Sequence, residues 1–313
     1  MDFSKVDTSK TVVVIGAGLM GHGIAQVFAR AGQHVVITDP DAAVLGMAIE
    51  RVGRNLQGEG VAPGPIVARI TVDPFMARAV AQADLVIEAA PEKLELKQTL
   101  FAHIAAAAPR HAILASNTSV IPITRIGEAL GDDARARLVG THWWNPPHLV
   151  PLVEVVRSAF TRDDVFDAMF DWLAAVGKQP VKVQRDVTGF IGNRLQHALW
   201  REALGLIEDG VCDAEAIDLV VKNSFGLRMP VLGPMENADL VGLELTRDVH
   251  RVLFPELKSG TAPSPLLDQL IAAGHTGMKA GQGLRGWTAA EAEAVHGKLA
   301  AHLVDMLARR TEG

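Results

Sequence analysis

The sequence contains a single cysteine, Cys212, and no tyrosine. One cysteine excludes an internal disulfide and a zinc site built from several thiolates. The lack of tyrosine excludes proton transfer by a phenol, the chemistry on which short-chain dehydrogenases with a Tyr–Lys pair depend. Acid–base chemistry in this chain must therefore use other side chains, such as histidine or a carboxylate.

Long apolar runs and basic clusters are also missing. No segment reaches the roughly 18 consecutive apolar residues of a membrane-spanning helix, and residues 1–10 lack the apolar core of a signal peptide. The formal net charge is −6, and charges of both signs are interspersed. We therefore expect a cytoplasmic protein that binds neither a membrane nor a nucleic acid.

The pattern of apolar residues divides the chain into two parts. With 313 residues, of which 49% are hydrophobic, the chain is long enough for two domains with a large core. Residues 1–187 alternate short β-branched runs with helical patterns, which predicts an α/β Rossmann-type domain. Residues 188–313 are almost entirely helical in pattern and are predicted to form an all-α C-terminal domain.

Predicted strands are short apolar or β-branched runs bounded by turn residues, and predicted helices carry apolar residues at helical spacing. The strands are predicted at residues 11–15, 34–38, 83–88, 112–115, 138–142, 149–156 and 180–183. The helices are predicted at residues 42–57, 93–108, 163–176, 190–209, 214–222 and about 288–309, with a further helix that ends at Gly32.

A glycine-rich turn follows the first predicted strand, with the sequence Gly16-Ala17-Gly18-Leu19-Met20-Gly21. It has the form G-x-G-x-x-G, a helical pattern follows it, and the acid Asp39 ends the second strand. In this context the first glycine allows a tight turn, the second lets the backbone approach a pyrophosphate, and the third lets helix and strand pack closely. The helix N-terminus then offers N–H groups to the phosphates, so the unit predicts dinucleotide binding.

The acidic residues after the second strand predict which dinucleotide binds. Asp39 is placed to accept hydrogen bonds from the ribose hydroxyls, and Asp41 adds a second negative charge. No arginine follows until Arg51, so a 2′-phosphate would be repelled and NAD is favoured over NADP. The alternative interpretation of Asp39 is a solvated strand end.

Polar residues follow two further predicted strands. Glu92 and Lys97 come after the strand at 83–88, while Asn117 and Ser119 come after the strand at 112–115. Ligands bind beyond the carboxyl ends of strands in open α/β sheets, so these four residues are site candidates. Alternatively, Glu92 and Lys97 form a solvated helix start, and Ser119 is a turn or capping residue.

One histidine and one acid lie on two apolar runs separated by a Pro-Pro turn. His142 ends the run from residue 138, and Glu154 lies within the run 149–156. A strand–turn–strand arrangement would bring the two side chains together, and a carboxylate beside an imidazole fixes its tautomer. A purely structural pair is the alternative at this point. The other histidines have no ligand spacing, and we predict no metal site.

The ordered set of motifs resembles the 3-hydroxyacyl-CoA dehydrogenase family over almost the whole chain. The motifs that carry this resemblance are Gly16-x-Gly18-x-x-Gly21 with Asp39, Glu92-x-x-x-x-Lys97, Ser116-Asn117-Thr118-Ser119, His142-x-x-Asn145-Pro146, Pro151-Leu-Val-Glu154, Gly189-Phe-Ile-Gly-Asn193-Arg194 and Asp239-x-x-Gly242-Leu243. The resemblance implies NAD as cofactor, a Rossmann-type domain, and a helical domain that forms a homodimer.

The resemblance also implies roles for the candidate residues, in the oxidation of a hydroxyl group by hydride transfer to NAD. His142 would be the base and Glu154 would orient it. Ser119 and Asn193 would bind the substrate oxygen. The nicotinamide side would be lined by Glu92, Lys97 and Asn145.

Departures from the family pattern leave the substrate open. No lysine occurs between Lys10 and Lys93, whereas the fatty-acid enzymes carry a lysine-rich hairpin there that meets CoA. The His-x-x-Asn-Pro-Pro-His segment, which contains Trp143 and Trp144, resembles branches that act on free acids: L-gulonate 3-dehydrogenase with its λ-crystallin relatives, carnitine dehydrogenase, and a pyridine-carboxylate dehydrogenase of vitamin B6 breakdown.

We therefore expect a small hydroxy acid as substrate. Three alternatives stay open. The first is an L-3-hydroxyacyl-CoA such as 3-hydroxybutyryl-CoA, for which Arg51 and Arg54 would have to bind the nucleotide phosphate. The second is an NAD-binding structural protein of the crystallin kind. The third, a β-hydroxyacid dehydrogenase with a catalytic lysine, is disfavoured because residues 189–194 have the asparagine form of the motif.

Overall fold

The computed structural model describes residues 3–311, and these form two compact units. The first unit contains the residues up to Asn193 together with those from Ala301 onward, and the second contains Arg194–Ala300. The domain limits predicted from the sequence, 1–187 and 188–313, stay a prediction. Within residues 3–311, no helix has both the length and the apolar character needed to span a membrane.

The first unit is built on an eight-stranded sheet with the strand order β3-β2-β1-β4-β5-β6-β7-β8. Strands β1 to β6 are parallel, β7 pairs antiparallel with β6, and β8 pairs parallel with β7. The strands are β1 Thr11–Ile15, β2 His34–Thr38, β3 Ile70–Val72, β4 Leu85–Glu88, β5 Ile113–Ser116, β6 Leu138–Trp143, β7 Leu152–Val156 and β8 Gln179–Val183.

Two apolar clusters form the core of this unit. Strand β4 is buried along its whole length, as expected for a central strand of a parallel sheet covered on both faces. The helices of the unit are α1 Leu19–Arg30, α2 Ala42–Gly46, α3 Ala48–Gly58, α4 Gly64–Val67, α5 Met76–Val80, α6 Leu94–Ala107, α7 Ile123–Gly127, α8 Asp132–Ala136 and α9 Asp163–Ala175.

The second unit is helical. Gly205 is its one buried residue, so most of its apolar side chains are partly or fully exposed. The helices are α10 Gly192–Glu208, α11 Ala214–Asn223, α12 Phe225–Arg228, α13 Pro234–Val241, α14 Leu243–Leu253, α15 Pro265–Ala272 and α16 Ala289–Thr311, with 3₁₀ turns at Phe254–Glu256 and Met278–Ala280. The first residues of α10 and the end of α16 belong to the first unit.

The α/β domain followed by a helical domain confirms the predicted fold class, and several element boundaries differ. The helix predicted at 42–57 is two helices, α2 and α3, separated by Met47, and Asp41 caps α2 through the N–H groups of Ala43 and Val44. The strand predicted at 149–156 begins only at Leu152. Strand β3 and the short helices α4, α5, α7 and α8 were not predicted.

Candidate active site

The glycine-rich turn joins β1 to α1. Gly16 has φ +100°, and a Cβ there would lie 2.7 Å from the carbonyl oxygen of Ala89. A Cβ on Gly21 would lie 1.7 Å from the carbonyl oxygen of Gly16, so helix and turn touch through backbone atoms. Only glycine fits at these two positions, at Gly16 because of the tight turn and at Gly21 because the helix lies against the turn itself.

The second glycine differs, because a Cβ on Gly18 would meet no atom within 4 Å. Helix α1 starts directly after it at Leu19, which is 63% exposed, while Met20 packs on the core. No side chain caps this helix start. Open space beside an uncapped helix N-terminus fits a pyrophosphate.

Asp39 is held by the backbone on both carboxylate oxygens. The N–H of Ala17 donates to Oδ2 at 2.8 Å, and the N–H of Asp41 donates to Oδ1 at 2.8 Å. The carboxylate is therefore fixed beside the glycine-rich turn, with lone pairs left for ribose hydroxyls. The Arg51 guanidinium donates to the carbonyl of Ala17 at 3.2 Å, so a cation also lies at this turn.

Lys97 is buried, and its ammonium group lies at the end of β4. Its Nζ is 2.6 Å from Oε1 of Glu88 and 3.2 Å from the carbonyl oxygen of Ala90. Glu88 is also buried, and its other oxygen accepts from the Ser116 hydroxyl at 2.6 Å. The solvated face proposed as an alternative for Lys97 is therefore wrong, because the side chain has no exposed surface.

Glu92 connects Lys97 to the loop after β5. Its Oε1 accepts from the Thr118 hydroxyl at 2.5 Å and from the N–H groups of Ser119 and Val120 at 2.9 and 3.0 Å, while Oε2 lies 3.4 Å from Lys97 Nζ. Burial alone would raise the pKa of Glu92, but these hydrogen bonds and the Lys97 charge lower it. Glu92 and Lys97 thus fix the loop that presents Ser119.

Three polar candidates meet around this loop. The Asn193 side-chain amide donates to the carbonyl oxygen of Ser119 at 3.0 Å, and the Asn117 side-chain oxygen accepts from the N–H of Trp143 at 3.0 Å. The Ser119 hydroxyl has no hydrogen-bond partner in the described part of the chain. Ser119 and Asn193 therefore lie in direct contact, and the Ser119 hydroxyl is available to a ligand.

His142 and Glu154 face each other across the antiparallel pair β6 and β7. The distance from His142 Nδ1 to Glu154 Oε2 is 2.7 Å, and both side chains are buried. The second carboxylate oxygen accepts from the N–H groups of Ile191 and Gly192 at 2.8 and 3.0 Å. A carboxylate on Nδ1 assigns the proton to that nitrogen, which leaves Nε2 as the acceptor.

The carboxylate of this pair is ionised by its surroundings. Burial would raise the pKa of Glu154, but hydrogen bonds from His142 and from the Gly192 and Ile191 N–H groups lower it below its ordinary value. A fixed negative charge therefore lies against one side of the imidazole.

Two aromatic rings that the sequence did not predict as neighbours flank this imidazole. The ring centroids of Trp144 and Phe190 lie 5.3 and 5.6 Å from that of His142. Phe190 has φ +50°, the one positive value outside glycine among residues 3–311. Such strain concentrates at functional sites, and here the bend aims the following N–H groups at Glu154.

The last candidate, Asn145, is exposed and makes no side-chain hydrogen bond to the described residues. It is joined to Pro146 by a cis peptide bond. Of the two tryptophans before it, Trp143 lies in the core against Phe28 at 6.0 Å, and Trp144 lies at the site. In residues 3–311 no group of three His, Cys, Asp or Glu side chains is arranged to hold a metal ion.

Two family models match most of the chain. Residues 11–187 match the model described as 3-hydroxyacyl-CoA dehydrogenase, NAD binding domain. Residues 189–287 match the model described as 3-hydroxyacyl-CoA dehydrogenase, C-terminal domain.

Several curated proteins are similar in sequence to this chain, and they are named for different substrates. A 5-formyl-3-hydroxy-2-methylpyridine 4-carboxylate 5-dehydrogenase of Mesorhizobium japonicum is 33% identical over 94% of this chain and 96% of its own length. An L-carnitine dehydrogenase of Streptomyces griseus is 41% identical over 75% of this chain and 70% of its own length. A 3-hydroxybutyryl-CoA dehydrogenase of Bradyrhizobium diazoefficiens is 38% identical over 88% and 94%.

A solved crystal structure of one of these kinds of enzyme is similar to this chain. The crystal structure of a 5-formyl-3-hydroxy-2-methylpyridine 4-carboxylic acid 5-dehydrogenase, described as an NAD⁺-dependent dismutase, matches with a TM-score of 0.89 at 33% identity. The match covers 97% of this chain and 99% of that one.

Proposed function

The chain belongs to the 3-hydroxyacyl-CoA dehydrogenase family, and from this we propose that it oxidises the hydroxyl group of a small hydroxy acid with His142 as the base. The observation that carries the proposal is the 2.7 Å hydrogen bond from His142 Nδ1 to an ionised Glu154. That bond leaves Nε2 with a lone pair for a substrate proton.

The protein side of the reaction follows from the positions of these groups. Bound NAD supplies the hydride acceptor, the C4 atom of its nicotinamide ring. His142 Nε2 takes the hydroxyl proton, and the Glu154 carboxylate stabilises the imidazolium that forms. The Ser119 hydroxyl and the Asn193 side-chain amide would hold the substrate oxygen as it changes from alcohol to carbonyl.

The glycine-rich turn supplies the cofactor site in this proposal. The pyrophosphate would lie on the N-terminus of α1 beside Gly18, and the adenosine ribose would bind to Asp39. Asn145 and Glu92 would line the nicotinamide side. Lys97 is reassigned to an indirect role, since its ammonium group is used within the protein to hold Glu88 and Glu92.

The preference for a free acid has support from sequence and site. The lysine-free stretch from Thr11 to Glu92 lacks the usual ligands of the CoA phosphates. Two of the similar proteins, one of them matched over nearly its whole length, are named for free acids. Trp144 and Phe190 beside His142 also offer flat apolar faces suited to a compact or aromatic substrate.

A 3-hydroxyacyl-CoA is the second candidate substrate. It is favoured by the 38% identity to a 3-hydroxybutyryl-CoA dehydrogenase. The groups available for its phosphates are weak, because Arg51 donates to the Ala17 carbonyl and Arg54 lies 3.7 Å from the Glu50 carboxylate.

We also propose a homodimer formed through the helical unit. Residues 194–300 bury only Gly205, and large apolar side chains are exposed along several of its helices. A stable helical unit needs a covered apolar face, which a second copy would supply. The exposed apolar residues of α13 and α14 are Met235, Leu240, Val241, Leu243, Leu245, Val249, Val252 and Leu253.

The test is NADH formation with purified protein. One arm uses L-gulonate, L-carnitine, L-3-hydroxybutyrate and hydroxymethylpyridine carboxylates, and the other uses L-3-hydroxybutyryl-CoA. We expect turnover on a free acid. Turnover on the thioester alone would replace it with the second candidate, and no turnover on either arm would leave the non-catalytic NAD-binding alternative.

The base is tested separately with His142→Ala. Loss of a general base lowers the rate roughly 10²–10⁴-fold, while NADH binding measured by fluorescence should stay unchanged. The matched control is His103→Ala, since His103 is exposed on α6. Unchanged turnover in His142→Ala would refute the assignment.

The cytoplasmic location of the protein, expected from its sequence, stays a prediction.

A further inference from the structure

Lys178 is a buried lysine outside the residues discussed so far. It lies in the turn between α9 and β8 and is 6% exposed. Within the described chain no carboxylate oxygen lies within 4.0 Å of its Nζ. Its ammonium group therefore has no ion-pair partner in direct contact, unlike that of Lys97.

The ammonium group is instead bound to backbone carbonyls. Lys178 Nζ donates to the carbonyl oxygen of Pro147 at 2.5 Å and to that of Val150 at 2.9 Å. It also lies 5.3 Å from the centre of the Trp143 indole, within range of a cation–π interaction. These contacts join Lys178 to the segment 144–151, which runs from the end of β6 to the start of β7.

This segment carries groups of the candidate active site. Trp144 packs against the His142 ring, and Asn145 follows it. Trp143 lies directly after His142, and its ring contacts Phe28 of α1, the helix that follows the glycine-rich turn. The carbonyl groups that Lys178 holds are therefore only a few residues along the chain from His142 and from Trp143, which contacts the helix after the glycine-rich turn.

A purely structural role explains Lys178 poorly. Burying an ammonium group without a carboxylate partner is unfavourable, whereas a methionine would fill a similar volume without that desolvation penalty. The acid Glu59, whose charge acts on Lys178 from a distance, does not offset this cost. Glu59 is used by Gln26 and Arg30, with which it forms hydrogen bonds of 2.6 and 2.5 Å.

The other charged or titratable groups around this turn are basic. Lys178 feels the positive charge of Arg30, and His148, on the held segment, is lowered in pKa to about 4 by burial and by its basic neighbours His22, Lys178 and Arg30. The Lys178 amine therefore lies in a basic and apolar neighbourhood, where its two carbonyl acceptors are its direct polar contacts.

We propose that Lys178 is a positioning residue of the dehydrogenase reaction: it fixes the segment 144–151 so that Trp144 stays against His142 and the next residue, Asn145, keeps its place. The expected effect of Lys178 on kcat rests on the proposed function. The structural part of the inference, the immobilisation of the segment, does not depend on the substrate.

The kinetic test compares Lys178→Met with Lys182→Met. Lys182 lies on the neighbouring strand β8 and makes an exposed ion pair with Asp167, so its removal controls for loss of a lysine. A small displacement of reacting groups lowers rates by roughly 10- to 100-fold. We expect that loss in kcat for Lys178→Met, with KM for NAD and the Kd of NADH within about twofold of the wild type.

The structural test is amide hydrogen exchange of the same proteins. Residues 144–151 should exchange faster in Lys178→Met, while β1 and β4 exchange as in the wild type. Equal exchange and equal kcat in the two variants would overturn the proposal. Uniformly faster exchange over the whole sheet would also overturn it, because it would show a general stability role.

A third variant, Lys178→Gln, tests the proposal if Lys178→Met folds poorly. Lys178→Gln keeps an NH₂ group that can donate to the carbonyls, and it should recover part of kcat and of the protection. No recovery in a folded Lys178→Gln would count against positioning by these hydrogen bonds. If the wild type turns over none of the substrates, the exchange comparison still decides whether Lys178 holds the segment.

Discussion

His142 and Glu154 lie directly opposite each other on antiparallel strands, with Nδ1 and Oε2 2.7 Å apart. The pairing register of β6 and β7 therefore sets the orientation of the imidazole. A slip of one residue would turn one of the two side chains to the other face of the sheet. The contact also links two residues close in sequence, so it forms wherever this hairpin forms.

Removal of the Glu154 charge should change how stability depends on pH. The pKa of Glu154 is lowered in the folded protein, so its contribution is full above the ordinary value of 4.5 and is lost as pH falls through the folded pKa. Glu154→Gln leaves buried donors without their charged partner, and we expect a loss of roughly 1–3 kcal/mol at pH 7. Urea unfolding of both proteins from pH 7 to pH 3 should show this difference shrinking below about pH 4.5.

The exposed acid Glu128 provides the comparison for this experiment. Glu128→Gln removes a carboxylate from an exposed pair with Arg125 and should change stability by less than about 1 kcal/mol. A Glu154→Gln difference that stays constant down to pH 3 would contradict the role of the ionised carboxylate.

Two glycines of the turn, Gly18 and Gly21, should respond differently to alanine. Gly21→Ala places a methyl group 1.7 Å from the Gly16 carbonyl oxygen, so we expect a clear loss of stability, roughly 1–3 kcal/mol or more. Gly18→Ala has room for the methyl group and should keep its melting temperature, but the group would occupy the predicted pyrophosphate site. The Kd of NADH, measured by fluorescence, should rise roughly tenfold or more in Gly18→Ala.

Gly46→Ala is the control for these variants. It also meets no atom within 4 Å, but it lies in α2, away from the turn. NADH affinity should be unchanged in it. Equal affinities in Gly18→Ala and the wild type would argue against a pyrophosphate at this turn.

Replacement of Lys97 should destabilise the protein. Lys97→Met leaves the Glu88 carboxylate buried without its cation, which costs roughly 3–5 kcal/mol when one partner of a buried pair is removed. Lys93→Met, in the exposed residue before α6, should be nearly neutral. Thermal and urea unfolding measure both. A double variant Glu88→Gln/Lys97→Met that is more stable than Lys97→Met would locate the cost in the unpaired carboxylate.

Because Lys178 is buried, the free energy of unfolding should rise with pH. Burial lowers its pKa to about 7, below the unfolded value of 10.5, so the unfolded chain binds more protons between these values. Below pH 7 both states are protonated and the penalty is constant. Between about pH 7 and pH 10, wild-type stability should rise relative to Lys178→Met by up to about 1.4 kcal/mol per pH unit, as measured by urea unfolding.

The parts of the fold predicted from sequence are those with a strong local pattern. The β-branched run at 11–15 and the G-x-G-x-x-G turn were located correctly, because buried parallel strands have continuous apolar runs. Strand β3, of three residues, and the helices α7 and α8, of five residues each, are too short to show a period. Their formation depends on contacts with the rest of the sheet.

At the candidate site, one contact between two side chains could be predicted from the sequence, and much of the surroundings could not. The facing of His142 and Glu154 followed from two strands and a turn. The burial of Lys97 was not predicted, because charged residues near a helix start usually lie in solvent. The left-handed backbone of Phe190 could not be predicted either, since a bulky residue gives no signal for it.

The chain passes out of the first unit at Asn193, after it has completed the hydrogen bonds to Glu154 and Ser119. The candidate base, its carboxylate and the donor that Asn193 supplies are thus encoded before residue 194. Mutations in the following hundred or so residues leave the identity of these groups unchanged. The two aromatic rings proposed to meet the substrate, Trp144 and Phe190, are encoded in the same stretch before residue 194. A single inherited segment of the gene therefore carries both the proposed acid–base groups and the surface beside them.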